Sequence, residues 1–147
     1  VTTRIAVLNG PNLNLLGRRE PEVYGRTTLA EIEAMVRAEA GQLAVEVEWH
    51  QSNHEGVLVD LVQGLPGRAD GIIVNAGAFT HTSMALRDAF LAVQVPYVEV
   101  HLSNLFAREP ARQHSLLAQH AAGFLCGFGA AGYRLALQAL VGRLRAG

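Results

Sequence analysis

Apolar residues fall along this chain in two alternating rhythms. Ile5 to Leu8 is a short unbroken run that stops at Asn9-Gly10-Pro11-Asn12, a cluster of turn residues, and predicts a buried strand and its loop. From Asn9 to Thr27 the pattern fades and Gly17, Pro21 and Gly25 punctuate it, as in a functional loop or lid. Thr28-Leu29-Ala30-Glu31 has the form of a capping box, and Leu29, Ile32, Met35 and Val36 follow at helical spacing, which predicts a helix to about Leu43. Val45, Val47 and Trp49 then alternate with Glu46, Glu48 and His50, a half-exposed strand near a sheet edge. Ser52 and Glu55 suggest a second capping box ahead of Val57, Leu58, Leu61 and Val62, with Gly64 and Pro66 at the stop.

The rhythm repeats in the second half. Gly71 to Val74 reads as a third strand ending at Asn75, Thr82 to about Ala92 as a helix, and Tyr97 to Leu102 as a fourth strand. Phe124 to Cys126 supplies a fifth strand and Tyr133 to Leu144 a closing helix. Strands that alternate with helices and are nearly continuously apolar specify a parallel sheet covered on both faces. Five such units, without linker or repeat, predict one domain, 1–147, of the α/β class: a flavodoxin-like three-layer sandwich of strand order 2-1-3-4-5. In such sheets ligands sit beyond the carboxyl ends of the strands, near the switch between strands 1 and 3. Asn12, Asn75, Glu99 and His101 all fall there.

Composition narrows the chemistry. Twelve basic residues against thirteen acidic ones, with no basic run, give no reason to expect nucleic acid as a partner. No stretch reaches the roughly 18 apolar residues of a membrane span, and Val1-Thr2-Thr3-Arg4 lacks a signal peptide's apolar stretch, so the expected location is cytoplasmic. All twelve basic residues are arginine. Without lysine there is no Schiff base, no pyridoxal phosphate attachment and no P-loop. Cys126, the only cysteine, lies in an apolar run and is expected to be a packed thiol.

Several clusters are candidates to carry function. Glu99 and His101, two apart on one strand, share a face, as either a structural ion pair or an oriented general acid. Leu102-Ser103-Asn104 with Arg108 and Arg112 offers donors to a carboxylate or polyol, and the two arginines, four apart, could share a helical face. Asn75 through Ser83, with His81, joins a strand to its helix, and Asp88 is about two turns beyond His81. His50 with His54, or His114 with His120, could in principle hold a metal, but no compact ligand set accompanies them. Gly127-Phe128-Gly129-Ala130-Ala131-Gly132 matches the dinucleotide fingerprint, yet the acidic residue expected about 20 positions later falls beyond the sequence, so tight strand-to-helix packing explains it better.

The segment Asn9-Gly10-Pro11-Asn12-Leu13-Asn14, with Arg19 and Tyr24 behind it, resembles the signature of type II 3-dehydroquinate dehydratases. Gln51-Ser52-Asn53-His54-Glu55-Gly56, Thr80-His81-Thr82-Ser83 and Glu99-Val100-His101-Leu102-Ser103-Asn104 match in order, so the resemblance spans Asn9 to Tyr133. It implies a cofactor-free lyase that converts 3-dehydroquinate to 3-dehydroshikimate through an enolate, in aromatic biosynthesis or quinate breakdown. It further implies that Tyr24 is the base, stabilised by Arg19, that Asn12 holds a water at the enolate, and that His101, oriented by Glu99, protonates the leaving hydroxyl. A free phenol ionises near pH 10, so a base working near neutrality needs roughly 3 to 4 kcal/mol of phenolate stabilisation. Asn75, His81, Arg112 and Asp88 would grip the ring hydroxyls, Asp88 from a neighbouring subunit of a dodecamer built from trimers, while backbone N–H groups of Leu102 and Ser103 take the carboxylate. Departures are Ala111 and Phe106, where larger or polar aromatics are common in the family, and a loosely matched stretch from Leu116 to Ala122. The competing class is a flavodoxin-like flavin-binding or signalling module.

Overall fold

The structure is a computed structural model that describes residues 1–18 and 20–147. Strands β1 (Thr3–Asn9), β2 (Val45–Gln51), β3 (Gly71–Asn75), β4 (Tyr97–His101) and β5 (Gly123–Cys126) form a parallel sheet in the order 2-1-3-4-5. The flavodoxin-like α/β architecture expected from the sequence is therefore the one observed. The helices are α1 (Pro21–Tyr24), α2 (Leu29–Leu43), α3 (Glu55–Gln63), α4 (Phe79–Thr82), α5 (Met84–Val93) and α6 (Ala131–Ala146).

Side chains alternate across the sheet, so β1 sends Ile5 and Val7 to one face and Ala6 and Leu8 to the other, all of them buried. Helices α2 and α6 cover the first face, packing Ile32, Val36, Leu137 and Leu140 onto it. Helices α3 and α5 cover the second, through Leu58, Val62, Leu86 and Phe90. Burial on both faces accounts for the unbroken apolar runs of β1 and β3. β2 is an edge strand with only Val45 fully buried, which explains its alternating sequence.

Several local expectations need correction. The Thr28–Glu31 capping box forms with both hydrogen bonds, but that of Ser52 and Glu55 does not. The Ser52 hydroxyl accepts instead from the His54 N–H (3.0 Å), and His54 caps α3 without its side chain. The helix expected from about Thr82 to Ala92 is α5, which starts only at Met84 because Ser83 is extended and its hydroxyl accepts from the Leu86 N–H, with the short α4 just before it. That break puts His81 on α4 and Asp88 on α5, so the two are not two turns apart on one helix, and Asp88 points to solvent. Arg108 and Arg112 share no helix either, since they end two separate 3-10 turns, Leu105–Ala107 and Pro110–Arg112. Cys126 is half-buried on the edge strand, its thiol 3.7 Å from Asn104 Oδ1, rather than fully packed.

Of the glycines in the dinucleotide-like stretch, Gly132 is a packing residue, whereas Gly127 and Gly129 take positive φ (95° and 60°) and a Cβ on Gly129 would meet nothing within 4 Å. A Cβ on Gly132 would lie 3.1 Å from Leu125 and 3.3 Å from Val100, where α6 crosses the sheet. Gly10 matters more for the site. A Cβ there would lie 2.2 Å from the Ala76 carbonyl oxygen, so only glycine lets the loops after β1 and β3 touch, and the Gly10 N–H donates to the Asn75 carbonyl (2.7 Å).

Candidate active site

A cleft opens above the carboxyl ends of β1, β3 and β4, where the strand order reverses. It holds about 340 Å³ of space, its open mouth included. Tyr24, Asn75, His81, His101, Leu102, Ser103 and Arg112 all line it, together with Arg108. Segments distant in sequence thus meet at one place.

Tyr24 closes the cleft from the lid, at the last position of α1, where Gly25 takes positive φ (82°) and ends the helix. Its half-buried hydroxyl accepts a hydrogen bond from Arg108 Nη2 (3.3 Å), and the Arg108 guanidinium lies 5.3 Å from the ring centroid. Nη1 of the same arginine donates to Ser103 Oγ (3.0 Å). Arg108 therefore sets a fixed cation against the phenol oxygen. Sequence reasoning gave it only a part in the carboxylate wall, and nothing in a position 84 residues away announces that contact. Arg19, the cation expected for this task, lies outside the described residues.

His101 ends β4 and Glu99 stands two residues before it on the same face, as the strand period requires. His101 Nε2 is 2.5 Å from Glu99 Oε2, and the Glu99 side chain is wholly buried. With Nε2 engaged, Nδ1 is the nitrogen left to serve the cleft. Two residues assigned no role of their own from the sequence, Thr80 within a matched motif and Ser115 outside any, complete this pair. Ser115 Oγ donates to both Glu99 oxygens (2.7 and 2.8 Å), and the buried Thr80 hydroxyl donates to Oε2 (3.2 Å).

His81 is held by an exchange with His114. Its Nδ1–H donates to the His114 carbonyl (2.6 Å), and His114 Nε2 donates to the His81 carbonyl (3.1 Å). Partial burial lowers the His81 pKa below the usual histidine value, against the opposing pull of the His114 carbonyl. The ring is thus a neutral imidazole with Nε2 free to accept. Asn75 is equally constrained, because Oδ1 accepts from the Gly77 N–H (3.2 Å) and Nδ2 donates to the Tyr133 hydroxyl (3.0 Å). Tyr133 donates onward to Asn9 Oδ1 (2.7 Å), and Asn9 Nδ2 to the His50 carbonyl (3.0 Å). One Asn75 N–H remains for the cleft.

The other predicted residues stand apart. Asn12 is left-handed (φ 69°) and exposed at the rim, its N–H donating to Asn53 Oδ1 (3.0 Å), and it does not line the cleft. Asp88 is exposed on α5, away from its own chain's cleft.

Comparison with known proteins identifies the family. Residues 3–141 match the family described as "Dehydroquinase class II". A protein named 3-dehydroquinate dehydratase from Synechococcus sp. (strain CC9605) is 57% identical over 141 residues, covering 96% of this chain and 97% of that one. One named Catabolic 3-dehydroquinase 1, from Aspergillus terreus (strain NIH 2624 / FGSC A1156), is 54% identical over 91% of this chain and 88% of its own length. The crystal structure of type II dehydroquinase from Propionibacterium acnes superposes with a TM-score of 0.91 at 37% identity, covering 97% of this chain and 98% of that one. The sequence resemblance, the sheet order and the cleft lead to one conclusion: this chain belongs to the type II dehydroquinase family.

Proposed function

We propose that this chain removes water from 3-dehydroquinate to give 3-dehydroshikimate, with Tyr24 as base and His101 as acid. The observation that carries this reading is the placement of the Tyr24 hydroxyl, with Arg108 Nη2 3.3 Å away, in the same cleft as the His101–Glu99 pair. A base and an oriented acid in one cleft suit an elimination. In the forward step the Tyr24 phenolate takes a proton from the carbon beside the ketone, and the electron pair moves onto the carbonyl oxygen as an enolate. The enolate then reforms the ketone and expels the β-hydroxyl, which takes its proton from His101 and leaves as water. Tyr24 ends protonated and His101 neutral, and proton exchange with solvent resets both.

The other assignments belong to the same proposal. Arg19 and Arg108 stabilise the phenolate, Asn12 holds a water at the enolate, and His81, Asn75 and Arg112 bind ring hydroxyls. Backbone N–H groups of Leu102 and Ser103 receive the carboxylate. Asp88 acts from a neighbouring subunit in a dodecamer of trimers, a reading supported by its exposure away from its own cleft. The chain works as one catalytic domain in the cytoplasm. Among the described residues no helix is long and apolar enough to cross a membrane. With the family established, the flavin-binding or signalling alternative is set aside.

The test is direct. Adding 3-dehydroquinate to the purified protein, with no added metal or nucleotide, produces the ultraviolet enone absorbance of the product. Tyr24→Phe abolishes turnover while substrate still binds by calorimetry, and unchanged turnover in that variant removes Tyr24 as the base. Light scattering that finds only monomers, with full activity in Asp88→Ala, refutes the shared site.

A further inference from the structure

The Ser115 hydroxyl has one proton and two lone pairs. Both lone pairs are taken, because the N–H groups of Leu117 and Ala118 each donate to Oγ at 3.1 Å. Its proton can only go outward, and it meets both oxygens of Glu99 at 2.7 and 2.8 Å. Ser115 is therefore a one-way donor, unable to turn and accept a proton from a carboxylic acid. Thr80 adds a second hydroxyl donor on the wholly buried carboxylate.

We propose that Ser115 is a positioning residue for the elimination, holding Glu99 as an acceptor so that the proton of the Glu99–His101 pair stays on His101. The proposal rests on the reading of His101 as the acid. Hydrogen bonds to an ionised acceptor are roughly twice as strong as those to a neutral one, so two fixed donors favour the carboxylate–imidazolium arrangement over the carboxylic acid–imidazole one. Only the former places an acidic proton at the cleft, since a neutral imidazole gives up its remaining proton very poorly.

The segment that carries Ser115 is pinned at every residue. The His114 carbonyl receives His81 Nδ1–H, the Leu116 N–H donates to the Thr80 carbonyl (2.8 Å), and the Tyr97 hydroxyl donates to the Leu117 carbonyl (2.6 Å). One strap thus orients both histidines of the cleft. It leaves His81 neutral, with Nε2 accepting, and His101 as the proton carrier. Other ionisable groups around the pair are Tyr97 on β4, His81 on α4, His114 on the strap, Arg108 and Arg112 on the turns after β4, Tyr24 on the lid and Cys126, the register partner of His101 on β5. Burial, with the Glu99 charge, pushes the Tyr97 hydroxyl up to about 12, so it stays neutral throughout an enzyme assay.

The test compares Ser115→Ala, Ser115→Thr and His101→Asn in the intact enzyme, with 3-dehydroquinate as substrate. Ser115→Ala should lower kcat about ten- to a hundredfold, the loss expected for a hydrogen bond to a buried charge, while KM stays within about twofold. The alkaline limb of its kcat–pH profile should move upward, because a carboxylate that has lost a donor holds the shared proton more tightly. Ser115→Thr, which keeps the hydroxyl, should recover most of the rate and the wild-type limb. A loss of rate with the limb in place would show a merely structural role and overturn the proposal, as would a Ser115→Ala enzyme of wild-type kcat. Should Ser115→Ala fail to fold, Thr80→Val removes the second donor, and an unmoved limb there is equally fatal. His101→Asn separates the two readings. Full activity in it removes His101 as the acid, whereas an inactive His101→Asn beside an unaffected Ser115→Ala removes the role of Ser115 alone.

Discussion

Tyr133→Phe deletes one oxygen atom and leaves the ring, so it isolates the hydrogen-bond network behind the cleft from the packing around it. The hydroxyl is fully buried, donates to Asn9 Oδ1 at 2.7 Å and accepts from Asn75 Nδ2 at 3.0 Å. Burial holds its pKa well above the usual phenol range, against the lowering effect of the Asn75 bond, so it is a neutral donor throughout. The two amides it joins are almost as inaccessible, at 0% and 3% exposure, and water cannot replace it. Each buried partner left unsatisfied costs about 1 to 3 kcal/mol, and relief from burying the hydroxyl offsets part of the sum, leaving a loss of about 2 to 4 kcal/mol. For a chain of this size that lowers Tm by roughly 4 to 16 °C. Asn75 then keeps only the Gly77 N–H to orient its amide, so KM should rise up to about tenfold while kcat changes less. Thermal unfolding by circular dichroism and steady-state kinetics measure both. A Tm within about 1 °C of wild type with unchanged KM would refute the view that this hydroxyl orders Asn9 and Asn75.

Further predictions test the cleft from other directions. His81 has a lowered folded pKa, so below the ordinary histidine value the unfolded chain binds the proton that the folded chain refuses; stability falls as pH drops through that value toward the folded one. Tm measured between pH 7 and 5 should therefore decline less in His81→Asn than in wild type, and a steeper decline in the variant would refute the assignment. Arg108→Lys removes the fork that reaches both Tyr24 and Ser103 and should lower kcat about ten- to a hundredfold in a steady-state assay, whereas Arg68→Ala, which breaks an exposed pair with Glu48, should leave kcat unchanged. Gly10→Ala forces a Cβ against the Ala76 carbonyl and should cost about 1 to 3 kcal/mol or more in chemical denaturation, with activity falling because Asn75 shifts with the loop.

What could be read from the sequence follows from how far each contact reaches. Strand and helix periods are local, so β1 through β5 and their order were legible, and the alternation of Val45, Val47 and Trp49 even placed β2 at the edge. The pairing of Glu99 with His101 was legible for the same reason, since a spacing of two on a strand guarantees a shared face. Capping was legible only in part. Thr28 and Glu31 satisfied each other as written, but Ser52 found a nearer N–H at His54 and Ser83 capped α5 so that it starts two residues after the expected Thr82, because short polar side chains compete with the backbone over one or two residues.

The long-range parts of the site had no such signal. Arg108 meets Tyr24, Tyr133 meets Asn9, and Ser115 meets Glu99 across 84, 124 and 16 residues. Each of these partners is a polar residue that, seen alone in a sequence, is indistinguishable from a solvated one. Their common feature is physical: a reacting group in a parallel-sheet cleft arrives at the end of a strand with its backbone already committed to the ladder, so only side chains and loops can set its proton. Glu99 receives two hydroxyl donors, and His81 has its Nδ1–H taken by a carbonyl, with opposite results. The sequence names the two imidazoles, but on the reading proposed above the one that carries the proton is set by the strap from His114 to Leu117, the stretch where the resemblance to the family starts to loosen.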